Sequence, residues 1–230
     1  MALTERYARI RERMAEACLR SGRQTEDVRL IAVTKYLNLQ QTGEVLALGV
    51  KDLGESRVQD AAEKLEAFGH RATWHFIGHL QSNKVKQVVG AFAYIHSLDR
   101  LSLAEEIQRR SLQLGRPSRC FLQVNVSGEV SKFGIDPKNL LDFVEKLSSM
   151  DHVHVVGLMT MAPKTSQVEE VRPYFRALAR LQKSVQALRI PTITAEHLSM
   201  GMSQDFEVAI EEGATMIRVG TALVGNGVDA

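Results

Sequence analysis

Leu3, Tyr7, Ile10, Met14, Ala17 and Cys18 return at three- and four-residue steps with Arg and Glu between them, the spacing of one apolar stripe on a helix. The pattern predicts an amphipathic opening helix that stops near Ser21-Gly22. Beyond it, short apolar runs alternate with helical stretches. Strands are expected at about 28–34, 50–53, 74–79, 92–97, 119–126, 153–160, 192–197 and 215–219, with helices around 39–48, 57–67, 83–89, 100–114, 137–149, 166–188 and 203–212. Ser82-Asn83, Ser97-Leu98-Asp99 and Asp136-Pro137 read as helix starts, the last with proline at the first helical position.

Strands joined through helices run parallel, and eight of them close most economically into a single TIM-type (β/α)₈ barrel. Were Val50–Leu53 or Thr192–Ala195 to fail as strands, an open doubly wound sheet would take its place. No linker or low-complexity segment interrupts residues 1 to 222, so one domain over 1–230 is expected, with only Gly225–Ala230 looking frayed.

Composition narrows the function classes. The formal net charge of +2 is spread over interspersed charges of both signs, unlike the one-sided basic footprint of a nucleic-acid binder. Cys18 and Cys120 are isolated, without metal-type spacing, and fit reduced thiols. The start is charged where a signal peptide needs an apolar core, and no stretch approaches the about 20 apolar residues of a membrane span. A cytoplasmic monomer is expected.

In a barrel of this kind the chemistry collects where the strands end at their C-termini. Lys35 stands there, directly after the apolar run Val28–Thr34. A lysine at such a place either marks where the strand meets water or, when desolvated, presents an amine for Schiff-base formation with a carbonyl. Ser199-Met200-Gly201 and Gly220-Thr221 open toward helices at the last two strands. Glycines, helix amides and hydroxyls in that position commonly seat a phosphate. A phosphate beside a lysine suits pyridoxal phosphate or a phosphorylated sugar aldehyde. Arg218, among apolar strand neighbours, either points into the barrel mouth, where it could bond a pyridine nitrogen, or pairs in the helix layer. His152 and His154 fall at the start of their strand, on the stability face of the barrel, and His75 and His79 lack a recognisable third ligand.

Six segments together resemble one family. They are Ala32–Lys35, Gly54–Gln59, Trp74–Lys84, Gly157–Met161, Leu198–Phe206 and Ile217–Thr221, in order and spread over nearly the whole chain. The resemblance is to the pyridoxal phosphate homeostasis proteins. It implies a fold-type III barrel, similar to the N-terminal domain of alanine racemase, that holds pyridoxal 5'-phosphate as a Schiff base on Lys35. Carried over residue by residue, it implies that Ser199, Gly201, Gly220 and Thr221 hold the phosphate, that Arg218 faces the pyridine nitrogen and that Met200 packs near the ring. Ser56-Arg57 replaces the family's usual Asn-Tyr, which leaves Ser56 as the corresponding cofactor contact.

Racemases of this fold also bring a tyrosine base from a separate domain. The chain leaves no room for one after its eighth strand, and of its four tyrosines only Tyr36 lies near the rim. The expectation is a carrier and buffer of vitamin B6, with pyridoxal-phosphate-requiring apoenzymes as recipients. A racemase using Tyr36, His79 or water as second base is the alternative, and a Schiff-base aldolase acting on a phosphorylated sugar is the third reading.

Overall fold

The computed structural model describes residues 1–129 and 132–225. Its eight parallel strands close into a barrel in sequence order. They are β1 (Arg29–Val33), β2 (Asp52–Glu55), β3 (Thr73–Phe76), β4 (Tyr94–Leu98), β5 (Ser118–Gln123), β6 (Val153–Met159), β7 (Ile193–Ser199) and β8 (Met216–Val219). The expected fold class is therefore the observed one, and the open sheet is excluded because β1 pairs with β8. The helices are α1 (Leu3–Arg20), α2 (Leu39–Ala47), α3 (Val58–Phe68), α4 (Val85–Val88), α5 (Leu101–Gln113), α6 (Leu140–Leu147), α7 (Arg172–Ala187), α8 (Phe206–Glu211) and α9 (Thr221–Val224). No helix among the described residues is long and apolar enough to cross a membrane. Apart from Gly225, the tail expected to fray lies outside the described residues.

Boundaries moved for identifiable reasons. β2 sits two residues later than its apolar run suggests, because Gly54 and Glu55 continue the ladder opposite His75 and Phe76. The buried Glu55 carboxylate makes this possible by pairing with Lys64 of α3. β3 ends early, since Gly78 lies against the Ser56 backbone, where a Cβ would come within 2.1 Å of the Ser56 carbonyl oxygen. Asp136 caps as expected, accepting from the Lys138 amide, with Pro137 following. The other two caps are corrected. Arg100, not Ser97 or Asp99, is the residue before α5, and it makes no side-chain cap. Asp99 instead accepts from the Arg100 side chain. Ser82 opens a 3₁₀ turn after Gln81, again without a side-chain cap.

The main core fills the layer between barrel and helices, with Leu53, Ile95, Leu122, Leu158 and Leu198 pointing outward from their strands into it. A smaller cluster, Ile31, Tyr94, Phe121, Met159 and Met216, lies inside the barrel. Side chains alternate between the two along each strand. Helix α1 buries Ile10, Met14, Ala17 and Cys18, the predicted stripe. It also braces the end of the chain. Arg6 donates to the Leu223 and Val224 carbonyls of α9, and Arg13 pairs with Glu207 of α8.

Candidate functional site

β1 delivers Lys35 to the barrel mouth. Alternation sends Thr34 outward, where its hydroxyl donates to Glu55 at 2.6 Å and its carbonyl accepts from Lys64 at 2.7 Å. The Leu37 amide closes the turn onto the same carbonyl at 2.9 Å. Lys35 is thus held by a braced turn at the mouth. It is half-buried, with its Nζ 4.7 Å from the centroid of the exposed Tyr36 ring.

β8 lies beside β1 with Ile31 opposite Arg218 and Ala32 opposite Val219. Continuing that register sets Gly220 next to Val33, and a Cβ on Gly220 would stand 3.4 Å from the Val33 Cβ. The Gly220-Thr221 turn is therefore the immediate neighbour of the Lys35 turn. There the amides of Gly220 and Ala222 both donate to the Ser203 hydroxyl at 3.2 Å. Both amide protons are spent on that oxygen, so the donor left at this point of the rim is the Ser203 hydroxyl itself, a group able to bond an anion. Thr221 is exposed at the start of α9.

Arg218 turns inward and is 5% exposed. It donates to Ser199 Oγ at 2.7 Å and to the Thr160 carbonyl at 2.9 Å. Burial pushes its guanidinium down to about 10, opposed by the charge of Asp205, so it remains a cation at neutral pH. Among the described residues its Nε–H and the two other Nη–H groups find no protein acceptor. The reading that expelled Arg218 to the helix layer falls away.

Two of the expected site residues are fully buried. Ser199 is the last residue of β7, and its Oγ is engaged by Arg218 and by His96 Nδ1 at 2.9 Å. It points into the barrel interior. Met200, directly after it, packs in the layer between barrel and helices. Gly201 is required by packing. Its φ is +92°, and a Cβ would meet the Ala209 Cβ at 2.6 Å and the Phe206 Cα at 2.9 Å. Ser56 lies half-buried just past β2. Helix α8 starts at Phe206 rather than 203, because Asp205 folds back to accept from the Met202 amide.

His79, weighed as a base, stacks on Phe133 with ring centroids 3.9 Å apart and lies 3.7 Å from Asp99. His152 pairs with Asp151 at the opposite end of the barrel. The sequence reading of Ser203 as a cap of the following helix is corrected, since its hydroxyl instead accepts from the Gly220 and Ala222 amides. Sequence reasoning missed the pairing of His75 with His96 inside the barrel at 2.9 Å. The inward parity of His75 on its strand was the signal for it.

Comparison with known proteins shows the family. The model of the alanine racemase N-terminal domain matches residues 3–227. A pyridoxal phosphate homeostasis protein of Aquifex aeolicus is 44% identical over 226 residues, covering 98% of both chains. The chain belongs to the pyridoxal phosphate homeostasis protein family. Another member, from Pseudomonas aeruginosa, is 38% identical over 97% of this chain and 95% of its own. Among solved structures, PipY of Synechococcus elongatus with pyridoxal phosphate bound superposes with a TM-score of 0.82 at 36% identity, over 96% of this chain and 99% of its own.

Proposed function

We propose that this protein binds pyridoxal 5'-phosphate as a Schiff base on Lys35 and acts as a cytosolic carrier and buffer of the cofactor, not as a racemase. The observation that carries the reading is the β1–β8 register. It sets an amine, a turn held by a hydroxyl that can still donate, and a buried cation with spare N–H groups on adjacent strand ends. When bound, pyridoxal phosphate supplies an aldehyde for an amine and a ring that withdraws electrons.

The residues present fit that group. The Ser203 hydroxyl, whose oxygen already accepts from the Gly220 and Ala222 amides, and Thr221 at the start of α9 would hold the phosphate. Arg218 would face the pyridine nitrogen as a donor. Because it stays protonated, it would leave that nitrogen without a proton and weaken the ring as an electron sink. Ser56 stands at the neighbouring rim as a further contact. Ser199 and Met200 support the site from below and behind.

Racemisation needs a proton removed from one face of a carbon and another delivered to the opposite face. Tyr36 is 68% exposed and adjoins Lys35 in the same turn, so it approaches from the side of the lysine. That the relatives are known as homeostasis proteins agrees with a reservoir that serves cofactor-requiring apoenzymes.

The decisive experiment is borohydride reduction of the protein with pyridoxal phosphate, followed by peptide mapping. The adduct is expected on Lys35 and absent from Lys35→Ala. Attachment at another lysine, such as Lys84 or Lys132, would overturn the assignment. Pyridoxal without phosphate should bind far more weakly, since charge-assisted bonds are about twice as strong as neutral ones. Rapid deuterium exchange at the α-carbon of amino acids, abolished by Lys35→Ala, would overturn the carrier reading in favour of an enzyme.

A further inference from the structure

Side chains from five strands run in one line through the barrel interior. Asp52 Oδ1 lies 2.9 Å from His75 Nε2, His75 Nδ1 lies 2.9 Å from His96 Nε2, and His96 Nδ1 lies 2.9 Å from Ser199 Oγ. Arg218 Nη1 closes the line at 2.7 Å from the same hydroxyl. The two ends decide its direction. A guanidinium only donates, and an ionised carboxylate only accepts. Ser199 therefore accepts from Arg218 and gives its own proton to His96 Nδ1, which must be bare to receive it. His96 then carries its proton on Nε2 and donates to His75 Nδ1. His75 in turn carries its proton on Nε2 and donates to Asp52.

The opposite order would set a bare His75 Nε2 against the Asp52 carboxylate and strand the Ser199 hydroxyl proton in a fully buried place, a costly loss. Burial favours the neutral form of both imidazoles. Packing also holds the rings. His75 is stacked on Tyr94 at 4.8 Å and 12°, and His96 on Phe121 at 4.2 Å and 14°.

Resting on the reading of Arg218 as the group that faces the pyridine nitrogen, we infer that Asp52, His75, His96 and Ser199 are positioning residues: a one-way donor line that anchors the guanidinium at the barrel mouth and fixes which of its N–H groups remain for the cofactor. The line uses one Nη1–H, and the Thr160 carbonyl takes one from Nη2. The far end, Asp52, lies at the start of β2, toward the opposite end of the barrel from the mouth.

Two-bond ¹H–¹⁵N spectra of the full chain labelled at histidine, with and without pyridoxal phosphate at neutral pH, read the tautomers directly. Both His75 and His96 are expected as Nε2–H forms, and an Nδ1–H signature at either overturns the line. Asp52→Leu should weaken pyridoxal phosphate binding about tenfold and shift its visible absorption band, whereas Asp52→Asn, whose amide oxygen still accepts, should stay within about threefold. Leu122→Ala, on the outer face of β5, serves as the control for mere destabilisation and should leave affinity unchanged. Unchanged affinity in Asp52→Leu, or equal weakening in both variants, would overturn the positioning role. Should Asp52→Leu fail to fold, Ser199→Ala cuts the line at its other end and is expected to show the same tenfold loss, with unchanged affinity again overturning the role. The parent reading fails separately, if the native protein carries no reducible adduct on Lys35, and the spectra of the ligand-free chain do not depend on that result.

Discussion

The two sides of the barrel wall are built from different chemistry. Outward-facing strand residues meet the helices through an apolar layer of aliphatic and aromatic side chains, interrupted by the buried ion pair of Lys64 with Glu55. Inward-facing residues carry Asp52, His75, His96, Ser199 and Arg218 across an interior that barrels of this type usually fill with branched aliphatic side chains. The outer layer can be replaced by any well-packed apolar set and still specify the fold. The inner line cannot, because each member satisfies the next. Even the exception in the outer layer serves the mouth, since Lys64 holds the Thr34 carbonyl that presents Lys35.

The largest break in that comparison comes from the ion pair. Lys64→Met should destabilise the fold by about 3–5 kcal/mol in urea unfolding, because it leaves a buried carboxylate without its cation. Burial already raises the Glu55 pKa against the opposing Thr34 and Lys64 bonds. Acidification should therefore relieve the variant as Glu55 takes up a proton, and Lys64→Met/Glu55→Gln should recover much of the loss. A single variant as stable as the native protein would show that the pair contributes nothing to the turn.

Gly201→Ala tests the packing reading of a residue first expected to hold phosphate. A positive φ and a Cβ contact of 2.6 Å with Ala209 should together cost about 1–3 kcal/mol. If stability is unchanged while cofactor affinity falls, the glycine serves the ligand after all.

Legibility in the sequence divides along the same wall. The eight strands and α1 followed from apolar periodicity because the outer layer imposes it, residue by residue, within each element. The inner line joins residues 19 to 103 positions apart, and no local pattern announces such pairs. That Ser199 and Met200 are buried was not foreseen, for a specific reason. Ending β7 at about 197 turned both into loop residues, whereas two more strand positions put Ser199 inside and Met200 outside by simple alternation. β2 was missed by two residues because Glu55, a charged residue, is buried there by a partner nine positions later.

A gentler probe of the inner line is pH. Burial holds His75, His96 and His197 below the usual imidazole range, with Asp52 opposing and Arg29 assisting at His75, Arg218 and the other two histidines assisting at His96, and Arg29 assisting with Glu196 opposing at His197. The unfolded chain takes up protons near 6.5 that the folded chain refuses, so stability is complete above that pH and falls on acidification toward 5. Each withheld proton contributes a slope of up to about 1.4 kcal/mol per pH unit. Asp205 and Glu55, both raised by burial, act in the opposite sense at more acidic pH. Unfolding midpoints that stay flat between 7 and 5.5 would mean that the imidazoles are not held neutral.

The smallest effect belongs to Ser203, and it separates stability from function most cleanly. Its hydroxyl is the shared acceptor for the Gly220 and Ala222 amides, so Ser203→Ala removes a cap from the α9 turn. Exchanging a capping serine for alanine costs about 1 kcal/mol. Arg6, which holds the other end of α9 through the Leu223 and Val224 carbonyls, keeps the turn in place, and water can reach the freed amides at the half-exposed rim. The fold should therefore lose little. A phosphate at this point would lose a donor, and the affinity of the phosphorylated cofactor should drop severalfold, while pyridoxal, lacking the phosphate, should bind as it does to the native protein. Equal losses for the two ligands would place the phosphate elsewhere on the rim and leave Ser203 as a cap alone.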